Sequence, residues 1–132
     1  MAEELEKIAS EVERAVEHSL MLRISRKSLI DKLAEKFGFK PEEVAVFMEP
    51  ELPANRPKPD IVLMVKGTLF IIEVTSRPGP AAVKRLLAAS ETLKEMFKAE
   101  RVVHVLACTR GASLNRKFLK WLERCGIVLL RL

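Results

Sequence analysis

The apolar residues of the first 38 positions recur every three or four residues, which is the spacing of amphipathic helices. Two such segments cover residues 3–22 and 25–37. The second segment stops at Gly38, a residue type that commonly ends helices. The pattern therefore predicts two helices at the start of the chain, each with one face directed toward a core.

Residues 40–52 have a pattern that fits two structures. The run Val44–Met48 is apolar and β-branched enough to form a strand that leads into a sheet. The alternative is a helix-turn-helix in which residues 41–48 open a recognition helix. That helix would begin with Glu42 and Glu43, whose charges repel phosphates. We favour the strand and keep the helix-turn-helix as the alternative.

Two short apolar runs follow, at Ile61–Val65 and residues 68–72, and both are rich in β-branched and aromatic side chains. Lys66 and Gly67 separate them, and a two-residue connection of this kind is typical of a β-hairpin. A three-residue turn is the alternative, and it would shift the strand pairing by one position.

The hairpin carries one acid at each of its open ends. With a two-residue turn, Asp60 falls opposite Glu73, with Cβ atoms about 4.5–5.5 Å apart, where like charges repel. Two carboxylates in an apolar hairpin need a cation or a shared proton. With a three-residue turn, Asp60 would pair with Val74 and the acids would lie on opposite faces. Two simpler roles also stay open: a turn cap for Asp60, and an ion pair with Arg77 or Lys58 for Glu73.

Helix and strand patterns alternate in the second half of the chain. Pro80 stands at the first position of a helix, where its missing N–H costs nothing. A continuous apolar run then indicates a strand that is buried on both faces. The predicted elements are a helix at 81–98, a strand at 101–109, a helix at 113–125 and a strand at 127–132.

The predicted order is α, α, β, β, β, α, β, α, β in one domain spanning residues 1–132. Its helical N-terminal part would cover residues 1–38, and its sheet core residues 44–132. We therefore predict an α/β fold in which an antiparallel meander leads through a helical crossover into a mixed β-sheet, with helices on both faces.

Composition says more about the possible binding partners than about the fold. The chain has a net charge of +5, and residues 101–132 carry seven Lys and Arg side chains against one acid, Glu123. This balance permits an anionic partner such as nucleic acid. No apolar run is long enough to span a membrane, and the acidic N-terminus does not resemble a signal peptide. We therefore expect a cytoplasmic protein without a membrane partner. The absence of Gln and the many charged residues hint at a thermophile.

One short motif resembles a known family. Pro59 and Asp60 are followed thirteen residues later by Glu73, Val74 and Thr75. This spacing and the element order resemble the PD-(D/E)XK nuclease superfamily, which has the restriction-endonuclease-like fold, and most of all its small archaeal members such as Holliday-junction resolvases. The resemblance implies Mg²⁺ or Mn²⁺ bound by Asp60, Glu73 and the backbone carbonyl of Val74. It also implies hydrolysis of DNA phosphodiesters.

The motif departs from the family at one position. The family places a lysine two residues after the Glu, where it orients the attacking water, and this chain has Thr75 there. A hydroxyl cannot replace an ammonium as an electrostatic stabiliser. The predicted register puts Lys58 opposite Thr75, and Lys84 on the following helix is a second candidate. A helical acid that the family often adds would come from Glu13, Glu17 or Glu35.

Three functions follow from these observations. The first is a Mg²⁺-dependent nuclease, or a nuclease-derived domain, acting on DNA. The second is a catalytically inactive nucleic-acid-binding module of the same fold. The third is a regulator that contains the helix-turn-helix. By analogy with nucleases that cut both strands of a duplex, we also expect a homodimer.

Overall fold

A computed structural model describes residues 26–52, 58–109 and 111–132. The predicted helix at residues 3–22, with Glu13 and Glu17, lies outside the described residues. The helices are α1 (Arg26–Phe37), α2 (Pro80–Ala88), α3 (Ser90–Met96) and α4 (Arg116–Arg124), with a 3-10 helix at Pro41–Glu43. The strands are β1 (Val44–Met48), β2 (Ile61–Val65), β3 (Thr68–Thr75), β4 (Arg101–Cys108) and β5 (Ile127–Arg131).

The strands form one five-stranded sheet in the order β1-β2-β3-β4-β5. Strands β1, β2 and β3 are antiparallel neighbours, whereas β3, β4 and β5 run parallel to one another. The change comes at β3, because the chain returns to β4 through α2 and α3 rather than through a tight turn. The predicted α/β class and the mixed sheet are confirmed.

The β2–β3 hairpin has the two-residue turn that the sequence predicts. Lys66 and Gly67 both adopt positive φ, at 46° and 80°, as a type I′ turn requires. Val65 accordingly pairs with Thr68, and the register continues to Ile61 opposite Ile72. The three-residue turn is thereby excluded, and the alternation of side chains between the two faces is as predicted.

Each face of the sheet is covered by its own helices. On one face, Leu29, Ile30 and Leu33 of α1 pack against Leu63 and Ile72. On the other face, α2, α3 and α4 bury a second cluster, formed by Val62, Leu69, Ile71, Ala82, Val83, Leu86, Leu93, Leu106 and Leu122. Because apolar side chains cover both faces of the central strands, any charged side chain on these strands needs a partner.

Three expectations need correction. The helix-turn-helix is wrong, since Val44–Met48 is a strand and the helical part between α1 and that strand is only the 3-10 turn Pro41–Glu43. The single helix predicted at 81–98 is two helices, because the backbone at Ala89 leaves helical geometry at φ −110°, ψ 13°. The last helix begins at Arg116 rather than at residue 113, since the Asn115 side chain caps it by accepting the Phe118 N–H at 2.8 Å.

The helices in the described ranges are too short or too polar to cross a lipid bilayer.

Candidate functional site

The regular pairing of β2 with β3 ends at Ile61 and Ile72, and just beyond it the Asp60 N–H donates to the Ile72 carbonyl at 3.1 Å. In this register the next bonded pair would be Pro59 with Val74, and proline has no N–H to donate. The Asp60 side chain takes over, because its Oδ2 accepts the Val74 N–H at 2.9 Å. Asp60 therefore supplies the hydrogen-bonding partner for Val74 at a position where Pro59 interrupts the ladder.

The same geometry positions the carbonyl of Val74. The N–H and C=O of a strand residue point to the same side, and the Val74 N–H points toward Asp60. The carbonyl is therefore also directed toward the β2 side, where Pro59 cannot donate to it. Asp60 and the Val74 backbone thus meet at one point on the edge of the hairpin.

Glu73 lies next to this point and is fully buried, with a relative exposure of 0%. Its side chain is on the face that α2 covers. There, Nε of Arg85 approaches Oε2 of Glu73 to 3.5 Å and forms an ion pair. The crossover helix therefore supplies a cation to this buried carboxylate.

Sequence reasoning missed Arg85, although its position carried a signal. The residues of α2 that face the sheet are Ala82, Val83, Leu86 and, just beyond its end, Ala89. Arg85 lies three residues after Ala82 and four before Ala89, so it belongs to the same inward stripe. A cation within an apolar stripe of a crossover helix indicates a buried acid on the strand beneath it.

The remaining candidates are more scattered. Thr75 is fully buried, and its Oγ1 accepts the Arg77 N–H at 3.0 Å. Lys58 is half-buried beside the hairpin end, whereas Lys84 is exposed on α2, next to the residue that reaches Glu73. Glu35 is exposed on α1, on the opposite face of the sheet from Glu73.

A cleft of about 360 Å³ opens beyond the end of β3. One wall is the loop Pro78–Pro80 at the start of α2, and the other runs from Ser113 to Phe118 at the start of α4. It therefore lies at the carboxyl ends of the parallel strands β3 and β4, where open α/β sheets commonly bind ligands. Lys117 is the charged residue on its wall.

The donor chemistry at the hairpin end fits a hard divalent cation. Asp60 and Glu73 supply carboxylate oxygens and Val74 a carbonyl oxygen, the ligand types that Mg²⁺ prefers. Across the described residues no group of three or more His, Cys, Asp or Glu side chains could hold a metal.

Comparisons with known proteins found no matching family model, no matching curated protein and no matching solved structure.

Proposed function

We propose that this chain is a nuclease-type domain of restriction-endonuclease-like fold that hydrolyses DNA phosphodiesters with Mg²⁺ or Mn²⁺ at Asp60 and Glu73. The observation that carries the proposal is the hydrogen bond from Val74 N–H to Asp60. It brings the two separated parts of the motif together at one end of the hairpin. The α/β class and the mixed sheet, with its meander and helical crossover, support the proposal at the level of fold class.

Each residue has a definite task in this proposal. Asp60, Glu73 and the Val74 carbonyl would hold the cation, which supplies charge neutralisation at the phosphate and a water of lowered pKa. Arg85 provides a permanent positive charge beside Glu73, and Lys58 or Lys84 would substitute for the missing motif lysine. Thr75 anchors the turn into α2 through its bond with Arg77.

A second candidate function is favoured by the same ion pair. If Arg85 permanently neutralises Glu73, the acid pair has no need of a metal and the domain binds nucleic acid without cutting it. Thr75 in place of the motif lysine points the same way. This module would bind DNA in a salt-dependent manner in the presence or absence of divalent cations.

Cleavage assays separate the two functions. Purified protein is titrated with Mg²⁺ and Mn²⁺ against supercoiled, single-stranded and branched DNA. Asp60→Asn and Glu73→Gln serve as site variants, and Glu35→Gln on the opposite face of the sheet is the matched control. We expect metal-dependent cleavage by the parent and the control only. Cleavage that persists in both site variants rejects the assignment, and binding without any cleavage establishes the second function.

Cutting both strands of a duplex requires two such sites, so the proposal includes a homodimer on DNA. Light scattering of the protein with and without a duplex measures the number of copies bound.

A further inference from the structure

Helix α4 presents a concentrated positive surface. Arg116, Lys117, Lys120 and Arg124 are all exposed, with one exposed acid, Glu123, at the border of the group, whereas Leu122 is buried against the sheet. At about 100° per residue, the four cations fall within an arc of roughly 100° on the outward side of the helix. Three of them, at positions 116, 120 and 124, form a row with one helical turn between neighbours. We call these four residues the α4 cationic face.

This arrangement is unfavourable for the helix itself. Like charges four residues apart destabilise a helix by about 0.2–0.5 kcal/mol per pair, and the row contains two such pairs, a cost that Glu123, three residues after Lys120, offsets in part. Arg116 and Lys117 also occupy the first turn, where the helix dipole is positive and acids are preferred. Choices that oppose local stability in this way are expected where a surface serves a function.

The cationic face is continuous with the candidate site. Lys117 belongs to the face and also lines the cleft that begins at Pro78, three residues after Thr75. A chain of phosphates lying along α4 would therefore enter this cleft and approach the end of β3. The aromatic residues of α4, Phe118 and Trp121, are half-buried and contact each other at a tilt of 48°, with centroids 5.8 Å apart. Because these rings pack inward, the face offers charge rather than a platform for unpaired bases.

We propose that the α4 cationic face binds the phosphate backbone of duplex DNA and directs it toward the Asp60–Glu73 site. Four exposed cations without base-stacking rings fit a regular polyanion recognised through its backbone and not its sequence. This inference depends on the proposed function only where the α4 cationic face is said to direct DNA toward the cleft. Its binding needs no metal, so it holds for the nuclease and for the inactive module alike.

The test is duplex binding in EDTA, measured by fluorescence anisotropy over a range of salt concentrations. The test variant is Arg116→Gln/Lys120→Gln/Arg124→Gln. The matched control, Lys27→Gln/Lys36→Gln/Lys94→Gln, removes the same charge from exposed positions on α1 and α3. Circular dichroism and thermal unfolding verify that both variants fold.

We expect the α4 variant to bind about 100-fold more weakly at 0.1 M salt. Its slope of log K against log salt should fall by about two to three, because each lost phosphate contact removes roughly 0.9. The affinity of the control variant should stay within about 3-fold of the parent's, because the charges removed from α1 and α3 act on DNA only through screened long-range attraction. Equal losses in both variants would overturn the inference, since net charge alone would then explain binding.

Two further arms test the partner. Duplex RNA and vesicles containing anionic lipid are titrated under the same conditions. Preference for duplex DNA supports the proposal, whereas tighter binding to either alternative overturns it. Cleavage by the Asp60→Asn protein is measured separately, so a failed α4 surface and a failed metal site give different results.

Discussion

Nε of Arg85 lies 3.5 Å from Oε2 of Glu73, across the contact between α2 and β3. The Glu73 side chain is completely buried, whereas that of Arg85 retains 20% of its exposure. The pair therefore joins the deepest acid of the described residues to the solvent edge. It makes the crossover helix part of the candidate site. A metal ion that binds Glu73 would have to compete with the Arg85 guanidinium.

Removing Arg85 should destabilise the fold strongly. Arg85→Met removes a cation that lies 3.5 Å from the buried Glu73 carboxylate, and breaking a buried pair of this kind costs about 3 kcal/mol, and less here because Arg85 is partly exposed. Lys84→Met, at the exposed neighbouring position, should change the free energy of unfolding by no more than about 0.5 kcal/mol. Urea denaturation at pH 7.5 measures both.

The double variant Arg85→Met/Glu73→Met completes the cycle for this pair. Since two apolar side chains can replace a buried ion pair at little cost, it should be more stable than Arg85→Met alone. Additive losses in the double variant would show that Arg85 stabilises the fold by packing and not by charge.

Two substitutions at Asp60 should separate its structural role from its charge. Asp60→Asn keeps an oxygen that can accept the Val74 N–H, so its stability should stay within about 1 kcal/mol of the parent. Asp60→Ala removes the acceptor and should cost about 1–3 kcal/mol. Thermal and urea unfolding measure these losses, and equal stability of the two variants would mean that the hydrogen bond contributes little.

Gly67→Ala should weaken the hairpin through its backbone. The residue has φ +80°, and an added Cβ would meet only the Glu100 side chain at 3.5 Å, which is ordinary contact. The expected loss of about 1 kcal/mol therefore comes from the left-handed conformation and not from a clash. Gly79→Ala, where φ is extended at −173°, is the control. A similar loss in both variants would contradict this cause.

His104 should make stability fall in mild acid. Burial lowers the pKa of His104 below its usual 6.5, and its Nε2 is hydrogen-bonded to Ser90 Oγ at 2.9 Å. As the pH falls below about 6.5, the unfolded chain binds the proton before the folded one, so stability present above that pH is lost. Urea midpoints at pH 7.5 and 5.5 should therefore differ more for the parent than for His104→Gln. Parallel changes in both proteins would refute this assignment.

Much of the sheet follows from local patterns along the chain. The turn residues Lys66 and Gly67 dictate the hairpin register, and the register dictates which side chains share a face. The crossover between β3 and β4 follows from the helical spacing that separates two apolar runs. These features were predictable because each depends on residues close together in sequence.

The candidate site was less predictable because it depends on contacts between distant elements. Asp60 and Glu73 were placed correctly at the end of the hairpin, but the proline that interrupts the ladder changed what Asp60 bonds. Arg85 was missed because the helix was interpreted from its hydrophobic residues alone. The break at Ala89 was also missed, since alanine is a strong helix former and gives no local signal that a helix ends.

The most direct test of the account is a crystal structure of the protein soaked in Mn²⁺, with anomalous diffraction locating the metal. The account predicts an anomalous peak bound by Asp60, Glu73 and the Val74 carbonyl, and no peak there in Asp60→Asn crystals. The contradictory result is the absence of a peak in the parent, with Arg85 still paired to Glu73.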